Sequence, residues 1–218
     1  MPLSDIQPER YDELLTAKVA TVQGLLSPYY NGQFDVVRSE PTGFRMRAEF
    51  RVWHDGDALD YVMFRRDDPK TPVPIDTFPI ACGTIQQLMP RLREQLAATP
   101  ELRRKLFQVE FLATLSGEML VTLVYHRRLE DAWEREAREL RDRLRESAPT
   151  LSLIGRSRKQ KRILGRNWVE EALSVDGRCF RFNQYDQAFT QPNARGHEQV
   201  IAWACRHARS RGGDLVVR

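Results

Sequence analysis

The sequence predicts a mixed α+β fold in which antiparallel hairpins are flanked by helices. Three segments combine alternating or β-rich apolar residues with a short polar turn, which is typical of β-hairpins. Around them, apolar residues recur every three or four positions, which is typical of amphipathic helices. The chain has 218 residues, 41% hydrophobic and 29% charged, and is therefore large and apolar enough to bury a core.

The first predicted element is an amphipathic helix over residues 8–27. Pro8 suits a first helical turn, because an N–H at that position would have no partner inside the helix. Pro28 ends the helix. The apolar residues at helical spacing are Tyr11, Leu14, Leu15, Val19, Val22 and Leu26.

The first hairpin follows. Residues 44–53 alternate between apolar and polar positions, and a tight turn at 54–57 joins them to a second strand at 58–64. The first strand is therefore half-buried, and its outer face is basic. The cations of this face are Arg45, Arg47 and Arg51. Residues 65–79 contain four prolines and are predicted to form a loop.

The middle of the chain predicts a helix, a second hairpin and another helix. Residues 85–96 have helical spacing, although Pro90 is expected to kink or divide this helix. Residues 107–115 and 119–126 are apolar and rich in β-formers. Residues 133–144 carry one apolar stripe among charged positions, so this helix should pack along one side only.

The last third predicts a short strand at 151–155 and a third hairpin at 168–175 and 179–182. A final helix is predicted at 193–208. Residues 212–218 resemble a helix exit, a turn and the beginning of a new strand.

Two basic segments are candidate sites for a polyanion. Alternate residues of a strand lie about 7 Å apart, near the phosphate spacing of a nucleic acid, so the basic face of the first hairpin suits one. The second segment has six cations in eleven positions without an acid: Arg156, Arg158, Lys159, Lys161, Arg162 and Arg166. A solvated strand face and a solvated loop remain the competing interpretations.

The second hairpin has aromatic rings and cations at its ends. Phe107 begins it, and Tyr125, His126, Arg127 and Arg128 end it. Such a group suits an unpaired base, which can stack on a ring while its phosphate meets a charge. Core packing of Phe107 is the alternative.

A polar segment opens the final helix at residues 189–193. Asn193 suits the N-cap position, and capping alone explains part of the pattern. Gln191 offers a donor and an acceptor to the edge of a base or a cofactor.

Composition excludes several other classes of protein. The formal net charge of +4 and the pI of about 9.1 permit a polyanionic partner without requiring one. Cys82, Cys179 and Cys205 lack the spacing of a zinc or iron–sulfur site, so we predict no metal and a reducing, cytoplasmic compartment. No apolar run approaches a membrane span, and no phosphate-loop, hydrolase or metalloprotease motif is present.

Six segments, in order along the chain, resemble the bacterial tRNA (uracil-5-)-methyltransferase family. They are FRMRAEFRVWHDGD at 44–57, KLFQ at 105–108, TLS at 114–116, LVYH at 123–126, LIGR at 153–156 and FTQPN at 189–193. The resemblance implies an enzyme that uses S-adenosylmethionine to methylate C5 of the T-loop uridine in tRNA. In that family a cysteine adds to C6 of the uracil and a glutamate removes the C5 proton.

The resemblance also implies roles for residues of this chain. Gln191 corresponds to a family glutamine at the cofactor and target site. Arg51, Phe107, Tyr125, His126 and Arg127 fall in segments associated with gripping the tRNA T-arm. The resemblance also favours RNA binding by Arg45 and Arg47 of the first hairpin, whereas the predicted contacts Arg156, Lys159 and Lys161 rest mainly on charge.

The resemblance implies a division into three parts. We expect an N-terminal helix at 1–30, an α+β RNA-binding domain at 31–183, and the opening helix and first strand of a Rossmann-like methyltransferase domain at 184–218. The family's Tyr-Cys-Gly-Asn-Gly loop has no counterpart after Gly213-Asp214-Leu215. We therefore expect the catalytic cysteine and glutamate to be absent, and the face left open by the missing domain to favour self-association.

Two alternatives accompany this interpretation. The chain could be a stand-alone, non-catalytic RNA-binding module, which the same binding residues would serve. It could also be a fragment of a ribosomal RNA uracil-5-methyltransferase. Those enzymes typically carry an OB-like domain and a four-cysteine iron–sulfur cluster, and this sequence has neither.

Overall fold

A seven-stranded β-sheet forms the centre of the computed structural model, which describes residues 6–65 and 67–210. Its strands are β1 (Arg47–Asp55), β2 (Ala58–Phe64), β3 (Pro72–Pro74), β4 (Leu106–Ala113), β5 (Met119–Tyr125), β6 (Ser152–Ser157) and β7 (Gln160–Leu164). They lie in the order β3-β2-β1-β4-β5-β6-β7. A separate two-stranded sheet consists of β8 (Trp168–Val175) and β9 (Arg178–Tyr185).

Five α-helices accompany the sheets in the described residues. They are α1 (Tyr11–Leu26), α2 (Gly83–Ala98), α3 (Pro100–Arg103), α4 (Asp131–Leu144) and α5 (Ala194–Ser210), and a 3₁₀ turn (Pro8–Arg10) precedes α1. The predicted α+β class and all three predicted hairpins are confirmed, since β1–β2, β4–β5 and β8–β9 pair antiparallel. The pair β5–β6 is parallel, because α4 carries the chain back across the sheet between them.

The main core lies between one face of the seven-stranded sheet and the helices α2 and α4. The predicted alternation of the first strand is confirmed, since its apolar face is buried in this core. The predicted stripe of α4 is confirmed as well. Its four buried residues are Trp133, Ala137, Leu140 and Leu144.

The opposite face of the sheet is covered only in part. A second apolar cluster forms where β8 packs on it, and its members are Leu112, Leu120, Ile154 and Val169. Thr122 Oγ1 donates to Asp186 Oδ1 at 3.0 Å and ties the end of the small sheet to β5. Beyond this cover, the same face presents the outward residues of β1 and the beginning of β4. We call this region the open face.

The structure decides three local points that the sequence left open or predicted differently. Residues 65–79 contain the short strand β3, whose prolines are tolerated because it pairs only with β2 at the edge of the sheet. The helix α2 is not divided at Pro90, because a row of apolar residues on either side of it is buried against the sheet. Residues 156–166 lie largely in β6 and β7 rather than in a loop.

Two other predictions are not tested by the fold. The predicted strand at 212–218 lies outside the described residues. The division into three parts stays a prediction, and its boundary at 183/184 falls within β9.

We predict that Gly155→Ala destabilises the protein, because its Cβ would overlap Cη2 of the buried Trp133 indole. Overpacking of this kind costs roughly 1–3 kcal/mol. Urea unfolding should show this loss. In the matched control, Gly24→Ala in α1, the new Cβ has no neighbour within 4 Å and should leave stability equal or higher. Equal stability of both variants would contradict the packing of α4 on β6.

Candidate nucleic-acid interface

Arg51, Phe107 and His126 form a stack on the open face. The Arg51 guanidinium carbon lies 3.7 Å from the centre of the Phe107 ring. The centres of the Phe107 and His126 rings are 3.9 Å apart, with 26° between their planes. Because β4 lies between β1 and β5, Arg51 and His126 approach Phe107 from opposite sides.

A β-bulge aims Phe107 at this stack. Leu106 pairs with Tyr125 and Gln108 pairs with Val124, so Phe107 is the extra residue on β4. Leu106 and Val109 both point into the core, and the two residues between them face outward. The interpretation of Phe107 as a core residue is therefore wrong.

The stack has two accessible ends, since Arg51 and His126 are exposed and Phe107 is half-buried between them. A base can extend the stack at the guanidinium or at the imidazole, and both groups accept flat π systems. A direct contact with the face of Phe107 would require Arg51 or His126 to move. The sequence predicted a base lying directly on Phe107. The geometry favours instead a base that adds to one end of the stack of three side chains.

Tyr125 and Arg127 are structural in this chain. Tyr125 is 2% exposed, and its hydroxyl donates to Leu102 O at 2.9 Å. The Arg127 side chain is 8% exposed and forms an ion pair with Glu101 at 2.7 Å. Their prediction as RNA contacts does not fit this geometry, because neither side chain is free to meet a ligand.

Arg45 and Arg47 also bond to the protein itself. Arg45 Nε donates to Arg47 O at 2.7 Å, and an Arg47 guanidinium nitrogen donates to Ala188 O at 3.0 Å. Arg47 thereby fixes the segment that leads to Gln191. Of the predicted row of three arginines, only Arg51 has a side chain without a hydrogen bond to another described residue.

The basic run is largely neutralised by acids from other elements. Arg156 pairs with Glu110 at 2.6 Å, and Lys161 pairs with Asp186 at 2.8 Å. Arg162 and Arg166 pair with Glu134 and Glu118. Within the described ranges, Arg158 and Lys159, at the β6–β7 turn, are the cations of this run without an acidic partner.

A second region, around Gln191, contains a cavity of about 250 Å³ between the β8–β9 hairpin and the beginning of α5. Gln191 is exposed at its edge. Thr190 Oγ1 is buried and has no hydrogen-bond partner, so it can bond to a ligand. The predicted N-cap is confirmed, because Asn193 Oδ1 accepts from the Gly196 N–H at 2.8 Å.

Glu171 forms the buried wall of this cavity. One carboxylate oxygen accepts from the N–H groups of Leu115 and Ala172 at 2.9 and 3.0 Å. Burial raises the pKa of Glu171 above its usual value, and these hydrogen bonds oppose the rise. The residue therefore joins the β4–β5 turn to β8 at an electrostatic cost.

Cys82, Cys179 and Cys205 are free thiols. Cys82 is buried, and burial raises the pKa of its thiol. No group of three or more His, Cys, Asp or Glu side chains in residues 6–65 and 67–210 is placed to hold an ion. In the same ranges, no helix has the length and apolarity needed to cross a membrane.

Comparison with known proteins identifies the family. The model for tRNA (uracil-5-)-methyltransferase matches residues 10–217. The chain belongs to this family. Similar curated relatives are the tRNA/tmRNA (uracil-C(5))-methyltransferases of Dechloromonas aromatica (48% identical), Azoarcus sp. (49%) and Vibrio vulnificus (42%). In each case the match covers 99% of this chain and 58% of the relative.

A solved structure shares the fold at low sequence identity. It is the Pyrococcus abyssi tRNA (uracil-54, C5)-methyltransferase in complex with S-adenosyl-L-homocysteine. The TM-score is 0.64 at 16% identity, over 90% of this chain and 48% of that one. The chain thus spans little more than half the length of the curated family members that it matches.

Two arginines of the candidate basic segments, Arg128 and Arg158, lie at the edge of the interface, although they were not among the predicted RNA contacts. Arg128 and Arg158 are exposed and line a cavity of about 770 Å³ at the carboxyl ends of β5 and β6. Both lie in basic stretches of the sequence. Only the fold shows which members of those stretches keep their charge free.

We predict that Glu171→Gln changes how stability depends on pH. A carboxyl whose folded pKa lies above the reference value of 4.5 stabilises the fold below that value and loses this contribution as pH rises through the folded pKa. From pH 4 to pH 8, wild type should therefore lose stability relative to the variant, by up to about 1.4 kcal/mol for each pH unit between the unfolded and the folded pKa. Urea unfolding at both pH values measures this difference, with Glu49→Gln, which replaces an exposed residue of β1, as control. A pH-independent difference would contradict the prediction.

Proposed function

We propose that this chain is the tRNA-binding part of an S-adenosylmethionine-dependent tRNA (uracil-5-)-methyltransferase, which forms 5-methyluridine in the T-loop. The observation that carries the proposal is the stack of Arg51, Phe107 and His126 on the open face, in a chain that belongs to this family. An exposed cation–ring–ring stack on a sheet suits bases that are not paired in a helix.

The surrounding charges support an RNA ligand. Several cations near the stack or on the neighbouring turns are exposed and lack an acidic partner among the described residues: Arg51, Lys105, Arg128, Arg158 and Lys159. Free cations contribute affinity through the phosphates, whereas stacked rings bind the bases. A hairpin such as the T-arm offers both, since its loop bases are unpaired and its backbone is continuous.

The region of Gln191 is proposed to meet the cofactor and the target base. The exposed Gln191 amide and the unpartnered Thr190 hydroxyl fit a ligand that carries hydrogen-bonding groups. S-adenosylmethionine, when bound, supplies the methyl group. Glu171 and Arg47 hold the walls and the approach to this cavity in place.

The nucleophile is proposed to lie outside this chain. None of the described residues that line the Gln191 cavity is a cysteine, and Cys82 is buried in the main core. The catalytic cysteine, and the glutamate that removes the C5 proton, then belong to the part of the family's length that this chain does not span. Self-association and the cytoplasmic location also remain predictions.

We predict that Arg51→Ala and Phe107→Ala each weaken binding to a T-arm hairpin. The loss of one stacked base costs about 1–3 kcal/mol, which corresponds to roughly a 5- to 150-fold increase in Kd. Fluorescence anisotropy with a labelled hairpin at fixed salt measures the change. Arg135→Ala and Phe180→Ala, which replace exposed residues on α4 and β9, are the controls. Unchanged Kd in the stack variants, with intact thermal unfolding, would exclude the stack as an RNA contact.

We predict that this chain alone does not methylate tRNA. Undermodified tRNA and labelled S-adenosylmethionine should give no incorporation above a protein-free control, because none of the described residues that line the Gln191 cavity is a cysteine. Activity that survives replacement of all three cysteines by serine would point to a contaminant. Activity that disappears when one of them is replaced would overturn the proposed position of the nucleophile.

A further inference from the structure

We propose that the cavity at the carboxyl ends of β5 and β6 is a binding site for an RNA backbone phosphate, and that Arg128 and Arg158 bind this phosphate. This inference deepens the proposed function and rests on it for the identity of the RNA. The cavity has a volume of about 770 Å³. Its lining includes four arginines and a histidine, and no carboxylate.

The fold divides these cations into two groups. Arg127 forms an ion pair with Glu101 at 2.7 Å, and Arg156 forms an ion pair with Glu110 at 2.6 Å. Arg128 and Arg158 are exposed and have no acidic partner among the residues that the structure describes. The first pair is therefore part of the wall, and the second pair is available to a ligand.

The wall is held rigidly. Gln160 Oε1 accepts from the Leu129 N–H at 2.9 Å, and the Ser157 hydroxyl donates to Arg127 O. Arg127 also donates to Arg104 O at 2.8 Å. Two unpaired guanidinium groups on a fixed concave surface concentrate positive potential there. Their planar forks match the oxygens of a phosphate better than an ammonium group does.

His126 connects the cavity to the stack. Its ring packs on Phe107, and the same residue lines the cavity. A nucleotide whose base extends the stack at His126 thus has a phosphate within reach of Arg128 and Arg158. This proximity of a base platform to a cationic recess favours a nucleic acid over an acidic protein segment, which would use the charge but not the platform.

The test uses two probes and a matched pair of variants. Arg128→Gln/Arg158→Gln is compared with Arg91→Gln/Arg135→Gln, which removes two exposed arginines from α2 and α4 on the other side of the sheet. Isothermal titration with tripolyphosphate at low salt examines the cavity without a base. Binding of the T-arm hairpin across a range of salt concentrations measures how many phosphates the protein neutralises.

We expect tripolyphosphate to bind the wild type and the Arg91/Arg135 variant equally, and the Arg128/Arg158 variant at least 10-fold more weakly. For the hairpin, the slope of log K against log salt should become shallower by about 0.7 to 0.9 for each phosphate that the variant no longer neutralises. Unchanged tripolyphosphate affinity and unchanged slope in the Arg128/Arg158 variant would overturn the site.

The two proposals fail differently. One outcome is that neither the wild type nor any variant binds the hairpin, whereas tripolyphosphate affinity still depends on Arg128 and Arg158. The proposed tRNA function then fails, and the cavity remains an anion site without an RNA ligand. If the hairpin binds and the Arg128/Arg158 variant behaves like wild type with both probes, the site fails and the function stands. Binding of an oligo-aspartate peptide as tight as that of the hairpin would replace the RNA assignment with a protein partner.

Discussion

The contact between Trp133 and Gly155 is the constraint on which the rest of the structure depends. The indole lies fully buried against a strand position where only a hydrogen atom fits. It also packs edge-on against Tyr125, with 5.8 Å between ring centres. Through these two neighbours, α4 is fixed across both β5 and β6. The two strands run parallel, and their carboxyl ends meet at one edge of the sheet.

Charge is distributed unevenly over this frame. Acids on the sheet and on α4 neutralise most of the arginines around β6 and β7. Arg158 and Lys159, the cations of the basic run without an acidic partner among the described residues, lie on the turn between β6 and β7. The net charge of +4 is therefore a poor guide to the electrostatic potential near the stack. Paired charges contribute little to this potential, so the unpaired cations determine it.

The sequence predicted the elements better than the contacts. The alternation in β1 and the stripe on α4 were visible because each element buries one side only. β5 is buried on both sides, so alternation could not separate the core residue Tyr125 from a surface ring. The strand β7 was missed because its cations are neutralised by acids distant in sequence, which no local pattern records. In the sequence, the bulge at Phe107 is visible only as a break in the alternation of apolar residues, because the core positions are 106 and 109 rather than two residues apart.

The stack of Arg51, Phe107 and His126 also has a consequence for conformational entropy. If an aromatic side chain is free to rotate, a base that binds to it must first restrict the torsions of that side chain. This restriction costs about 1 kcal/mol for each side chain. Phe107 has already lost this freedom on folding, because its neighbours hold both of its faces. The free energy of ordering is thus included in the stability of the protein itself. Affinity for a flexible RNA loop would then be limited mainly by the ordering of the RNA.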